Sequence, residues 1–513
     1  MPLIHDILTN SKDAVVRLPS TRDAVLVLLA ASILRQCYVI VYNLYFHPLR
    51  KIPGPRLWIA FPVVKKALMM RGNTEFIIRD MHQKYGEVMR VAPNAVLFLD
   101  PQAWKDIYGH GHAELPKHYP DGYKANHKQI IWASPRNHFR MRRAMLPAFS
   151  DKALSQQEPL ITTYVDLLIQ RLREVAGTGE HTSMVRWYNF TTFDLIADLV
   201  FGESLDGLAS GKSNVWLDNI DKILHFVPVF IILGAFQTLG KVLLLLLRPL
   251  LSKAQQKHEA AVSKLVATRL TARKQPDRGD LMDYFLRSRG QDHQLTDEEL
   301  VANSDLIMIA GSETTATLLS GLTYWLLKTP HALERVTREV RGSFRTDGEM
   351  SFAETRSRLP YLLACLEEGL RLFPPVPIAL NRSVPADTPM DVCGVTLPPK
   401  TVVGVHHLSA YTSEVNFYRA REFLPERWLP ESTTDPSSPF YHDRREVHRP
   451  FSFGPRDCIG RKLAYHEMRL IMAKVLFHFD MRLDPSCDNW YEQRVFGIWE
   501  KPPLKVYLTE RET

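Results

Sequence analysis

Apolar residues run almost unbroken over residues 24–46, and ~23 helical residues rising ~1.5 Å each just cross a bilayer. Arg35 and Gln36 interrupt the run. A central arginine costs about 2.5–3.5 kcal/mol on membrane insertion, against about 0.3–0.6 kcal/mol gained per Leu, Ile or Val. The balance thinly favours a span, and an interfacial amphipathic helix is the other reading. Arg50, Lys51 and Arg56 follow, which puts the downstream body on the cytoplasmic side if the segment spans. Pro48, Pro53 and Pro55 around Gly54 predict a stiff non-helical hinge.

Beyond the hinge the period of the pattern changes repeatedly. Residues 89–99 put β-branched and apolar side chains on either side of Pro93-Asn94, which predicts a hairpin. Residues 132–150 predict a basic amphipathic helix with His138 and Arg142 four apart, hence on one face. Residues 228–251 are nearly as apolar as the N-terminal run, but Gln237, Gly240 and Lys241 favour a buried or membrane-dipping helix pair over a second span. Thr296-Asp-Glu-Glu299 is a capping box and starts a helix that continues to about Lys328, before Pro330. That helix is ~48 Å long. Its middle is apolar on all sides and then abruptly polar at Glu313-Thr314, so it should cross the core. Glu368 and Arg371 stand i, i+3 between apolar flanks and predict a buried ion pair, for which Arg427 is a further partner. A last helix is predicted from Arg461 to about Phe479.

Composition narrows the class. The chain has 513 residues, 45% hydrophobic and 23% charged, proportions of a globular protein with a sizeable core. No linker or low-complexity tract divides it after about residue 50, so one large domain is expected. The 5 cysteines stand singly, which excludes a disulfide framework or CxxC zinc site and places the body in a reducing compartment. A net charge of +8 admits an acidic partner or an anionic membrane. With no basic tract and no nucleic-acid-binding signature, nucleic acid is not expected as a partner.

One of those cysteines is presented by its surroundings: Phe451-Ser-Phe-Gly454-Pro-Arg456-Asp-Cys458-Ile-Gly460 runs straight into the last helix. Both glycines permit positive-φ turns, the helix N-terminus faces the sulfur, and Arg456 and Arg461 add positive charge. These features predict a depressed thiol pKa and an anionic ligand for a soft or redox-active metal. The pattern Phe-x-x-Gly-x-Arg-x-Cys-x-Gly resembles the haem-ligand loop of the cytochrome P450 family. Three further motifs agree in order: Ala310-Gly311-x-Glu313-Thr314-Thr315, Glu368-x-x-Arg371, and Phe423-Leu-Pro-Glu-Arg427-Trp. The resemblance covers residues 45–510. Asn43-Leu-Tyr-Phe-His47-Pro48, with Pro53-Gly54-Pro55, is also similar to the anchor-to-body junction of filamentous-fungal members.

That resemblance implies a mainly α fold with a smaller β-rich region, residues 1–47 forming a membrane anchor and 48–513 the catalytic domain. It implies haem b with Cys458 as axial iron ligand, and Phe451 and Arg456 in the cofactor-binding loop. Arg142 and Arg382 would bind propionates, joined by His138 where the family usually has tryptophan. Gly311 would leave space for dioxygen, and Thr314 and Glu313 would relay protons. Glu368, Arg371 and Arg427 would be structural. Val495-Phe496-Gly497-Ile498 would dip into the substrate pocket, and Lys400 stands where relatives commonly have glycine. The implied activity is insertion of one oxygen atom from O2 into a lipophilic small molecule of fungal secondary metabolism, whether terpenoid, alkaloid or polyketide. Electrons would come from NADPH through cytochrome P450 reductase, at the endoplasmic reticulum membrane with the catalytic domain cytoplasmic. Arg140, Arg143, Arg456, Arg461 and Lys462 would form a positive docking patch. A haem-thiolate isomerase or dehydratase, or a non-catalytic haem sensor, is the alternative; retention of Glu313 and Thr314 speaks for the monooxygenase.

Overall fold

The computed structural model describes residues 21–119, 125–212, 239–271 and 278–511. The N-terminal apolar run forms helix α1, Thr21–Val41, with no buried residue, and continues through a π-helical turn, Tyr42–Phe46. Together they make 26 residues long and apolar enough to cross a membrane. The proline-rich stretch after it is not a free hinge: a four-residue 3-10 turn, Pro48–Lys51, leads to a short helix, Arg56–Ala60, with Trp58 and Ile59 in the core.

The predicted hairpin is formed by strands β1, Val88–Ala92, and β2, Ala95–Phe98, antiparallel with Arg90 opposite Val96. Strands β3, Arg382–Ser383, and β4, Val402–Val405, complete a sheet in the order β1-β2-β4-β3, with β4 parallel to β2. At the turn into β4, Lys400 adopts φ +65°, the left-handed geometry that glycine takes most readily. A second sheet pairs β5, Phe479–Leu483, with β6, Lys505–Glu510.

Helices make up the rest of the core. They include α2, Pro135–Met145; α3, Asp151–Ala176; α4, Met184–Phe201; α5, Leu239–Thr271; α6, Asp297–Lys328; α7, Pro360–Leu372; and α8, Arg461–His478. Of the helix pair expected at 228–251, residues 228–238 lie outside the described part, and the remainder belongs to α5. The capping box at α6 is present in both halves: Thr296 Oγ1 accepts from Glu299 N at 3.2 Å, and Glu299 Oε2 from Thr296 N at 3.0 Å. Pro330 does not merely end α6 but starts the next helix, at its first turn, where a missing N–H costs nothing. Helix α6 crosses the core as predicted, packed along the almost wholly buried α4.

Glu368 is the hub of a dry polar network. Arg371 grips it at both oxygens (2.8 and 2.7 Å), Arg427 Nε donates at 3.1 Å, Trp428 Nε1 at 2.8 Å and Leu424 N at 2.9 Å. All three charged side chains are fully buried. Burial alone would raise the Glu368 pKa, but Arg371 and Arg427 outweigh it and hold it down to about 2. Arg427 in turn pairs with Asp443 at 2.5 Å, and Arg371 donates to the Tyr411 carbonyl at 2.7 Å. The network ties α7 to the long segment that leads to the Cys458 loop.

Candidate active site

The loop from Phe451 to Gly460 is closed by two backbone bonds, Cys458 N to Phe451 O at 2.9 Å and Asp457 N to Gly454 O at 3.1 Å. Gly454 has φ +77°, and a Cβ there would come within 1.8 Å of the Tyr108 carbonyl, so only glycine fits. Gly460 differs from expectation. Its φ is −86°, and it serves as the residue before α8. The Phe451 ring packs on Tyr465 of α8 at 5.2 Å.

Cys458 is the exposed member of a half-buried loop. Although the side chain stays accessible, the protein packed around the loop raises its thiol pKa and does not depress it: this desolvation is the largest cause, Asp457 adds to it, and the Gly460 amide, Arg142 and Arg461 do not compensate. The expectation of a thiolate formed by dipole and arginines alone is therefore corrected. A metal cation placed against the sulfur would lower its pKa again, as coordination does for thiols generally.

Positive charge collects beside this loop. Arg142, on α2, donates to the Asp457 carbonyl at 2.8 Å and its carboxylate at 2.5 Å. Arg456 is ion-paired with Glu114 and donates to Ala133 O at 2.7 Å, and its Nη1 is buried without a hydrogen-bond partner. Arg382, at the start of β3, reaches Leu115 O at 3.1 Å and Glu114 at 3.5 Å. Lys117 forms a β-bridge with Arg382 and donates to Ile131 O. Buried His138, on α2, feels all four cations. Burial first, and then their repulsion, lower its pKa to about 3, and the same causes lower that of Lys117 to about 7. Two carboxylates, Glu114 and Asp457, therefore serve three guanidiniums and Lys117, which with its pKa lowered to about 7 is a partial fourth cation. Such a cradle suits a dianion, and the two carboxylates of haem meet that requirement.

On α6, the exposed Ala310 and half-exposed Thr314 stand i, i+4 on one accessible stripe of an otherwise buried segment. Thr314 Oγ1 donates to Ala310 O at 2.6 Å, which leaves its lone pairs free to accept. Gly311 faces elsewhere: a Cβ there would meet Ile196 of α4 at 3.0 Å, so its missing side chain admits the neighbouring helix. Glu313 also turns away from Thr314, into the core. It is ion-paired with Lys501, both nearly buried (7% and 4% exposed). Lys501 has φ +53°, and its N–H donates to Gln493 Oε1 at 2.7 Å, which fixes the turn carrying the ammonium. Neither Lys501 nor Lys117 carries a local sequence signal; only the fold brings them here.

Helix α6 is joined to α8 by Thr315, which hydrogen-bonds the fully buried Glu467. Burial raises the Glu467 pKa from the ordinary 4.5 to about 8, so in the folded protein it is a neutral acid at physiological pH. Between those two values the unfolded chain has lost the proton that the folded one keeps, so stability falls as pH rises. Glu467→Gln, which stays neutral, should flatten this slope. Melting temperatures at about pH 5 and about pH 8 check it, the wild type losing several degrees more than the variant across the interval.

Arg140 does not project from α2 as a docking charge. It donates to Gln294 O at 2.5 Å and is ion-paired with the capping Glu299, clamping α2 to the start of α6. Lys462 pairs with Asp151 at 2.7 Å, both exposed.

Comparison with known proteins agrees with this geometry. The cytochrome P450 family profile matches residues 52–507. A trichothecene C-4 hydroxylase of Trichoderma arundinaceum is 45% identical over 94% of this chain and 96% of its own length. The cytochrome P450 monooxygenase dtxS2 of Metarhizium robertsii is 44% identical over 95% of each chain. A versicolorin B desaturase, stcL, of Emericella nidulans is 38% identical over 93% of this chain and 96% of its own. With the cysteine loop, the core-crossing helix and full-length relatives all in agreement, the chain belongs to the cytochrome P450 family and is a monooxygenase.

Proposed function

We propose that the Cys458 loop and the accessible stripe of α6 would hold haem b between them, with the Cys458 thiolate as the ligand to its iron. Arg142, Arg382, Arg456 and His138 hold its carboxylates, and Phe451 shields the loop. The observation that carries this reading is the partly buried cation cluster beside Cys458, in which the guanidiniums of Arg142, Arg382 and Arg456, with Lys117, outnumber the carboxylates of Glu114 and Asp457. When bound, haem supplies the iron at which one atom of O2 enters a C–H bond and the other leaves as water, with two electrons from NADPH. Thr314 offers its hydroxyl at the accessible face and moves protons there. Glu313 would join this relay only on release from Lys501, since here it is a paired carboxylate turned away from Thr314; it would then take up a proton and pass it on. Gly311 contributes by letting α4 approach α6.

The substrate is a lipophilic fungal secondary metabolite. Ile307, Ala310, Val376, Ile378, Ala379 and Phe496, each at least partly accessible, give it an apolar wall. Relatives named hydroxylase and desaturase support oxidation of such a molecule. Residues 1–47 anchor the protein to the endoplasmic reticulum, residues 48–513 face the cytoplasm, and cytochrome P450 reductase docks near the exposed Arg143, Arg461 and Lys462.

Thr314→Ala tests the proton assignment. The variant should consume NADPH and release peroxide while product per NADPH falls about 10-fold or more, the usual scale of positioned proton transfer. Substrate-induced spectral shifts should persist. Tight coupling in the variant would reject the assignment.

A further inference from the structure

Two sequence motifs have no part in the chemistry above, the junction at residues 43–55 and Arg90 of the hairpin, and the fold brings them together. In the π turn that ends the apolar helix, each carbonyl is met by the N–H five residues on, as His47 N meets Tyr42 O at 2.8 Å. The next carbonyl, that of Asn43, would need the N–H of Pro48, which has none. Arg90 supplies the donor: its Nη1 reaches Asn43 O at 2.9 Å, while Nε and Nη2 reach Pro93 O at 3.1 and 2.7 Å. Only 1% of Arg90 is exposed, and among the described residues no carboxylate pairs with it. Its hydrogen-bond acceptors are carbonyl oxygens, one of them at the negative end of the apolar helix's dipole. The backbones interlock as well. Arg90 N donates to Pro53 O at 2.8 Å, and Gly54 lies so close that a Cβ would come within 2.0 Å of the Arg90 carbonyl. The Asn43 side chain, itself buried, points to Ile59 O at 3.5 Å.

We propose that Arg90 locks the apolar helix to the catalytic body, so that the two form one rigid lipid-facing unit and the body rests on the bilayer at a fixed tilt. This rests on the reading of the helix as a membrane anchor. The surface agrees with it. Exposed Tyr45 and Phe46 on the helix are followed by exposed Leu57, Phe61 and Met70 on the body. Exposed Arg50, Lys51, Arg56 and Arg71 are interspersed among them, and no acidic residue falls between positions 48 and 74. An apolar surface with a basic border fits an anionic lipid face. The clamp also gives a reason for a buried arginine without a carboxylate: removing it leaves the Asn43 and Pro93 carbonyls unpaired in the core.

The test uses the full-length haem-loaded protein in nanodiscs of phosphatidylcholine with a minority of phosphatidylserine, and reads haem tilt by polarised absorption of oriented discs. The wild type should show one narrow tilt distribution. Arg90→Met should broaden it severalfold with the thiolate-type carbon monoxide band unchanged. Arg90→Lys keeps a buried cation with fewer donors and should give an intermediate width, and it carries the test where Arg90→Met fails to fold. A wild type without preferred tilt, or variants as narrow as the wild type, would overturn the clamp. Wild-type protein that stays out of the discs would overturn the anchor reading beneath it.

Discussion

Glu368→Ala should leave little folded protein at physiological temperature. Deleting one partner of a buried ion pair costs about 3–5 kcal/mol because the other charge is stranded; here Arg371 loses its ion-pair partner, and Arg427, which keeps Asp443, loses one of two, neither arginine being exposed to water. The loss also leaves Trp428 Nε1 and Leu424 N without their acceptor. Against a typical net stability of about 5–15 kcal/mol, the expected loss is a large fraction of the whole. Thermal or urea unfolding of the purified variant checks it, and a midpoint within a degree of wild type would show that the network contributes little. The sign of the pH effect is fixed by the same geometry. Glu368 has a folded pKa near 2, below its ordinary 4.5, so its contribution is present above about pH 4.5 and is lost as pH falls toward 2.

The features legible in the sequence are those set by neighbours along the chain. The hairpin around Pro93-Asn94, the Thr296/Glu299 capping box and the Glu368/Arg371 pair depend on spacings of one to four residues, and each is formed as read. The Cys458 loop is legible for a different reason, since it is a family motif defined by a fixed spacing of residue types along the chain. What escaped reading depends on contacts between distant segments. Glu313 carried no hint of Lys501, because the C-terminal turn that presents the lysine is joined to α6 only in the fold. Arg140 read as a free surface charge until Glu299 was found across from it. Gly311 reads in sequence as space for a ligand, but the side its missing Cβ leaves open is taken by Ile196 of α4. The sign of the Cys458 shift is not legible, since the sequence shows nearby arginines but not the desolvation by packed neighbours that opposes them.

Cys458→Ala should abolish turnover altogether, a larger loss than at any other position. The sulfur is the one candidate axial ligand in the loop, and the remaining described cysteines lie elsewhere: Cys37 on the apolar helix, Cys365 and Cys487 buried, and Cys393 with its pKa raised to about 12 by burial and then by Asp100, Asp106 and Glu87. None can take its place. The cation cluster survives the change, so the variant should still bind haem weakly through its carboxylates while losing the thiolate's electron donation to iron. The most direct test is the carbon monoxide difference spectrum of the dithionite-reduced protein. The account predicts the red-shifted band of thiolate ligation in the wild type and its complete loss in Cys458→Ala. A variant that retained that band would contradict the assignment of Cys458 as the iron ligand.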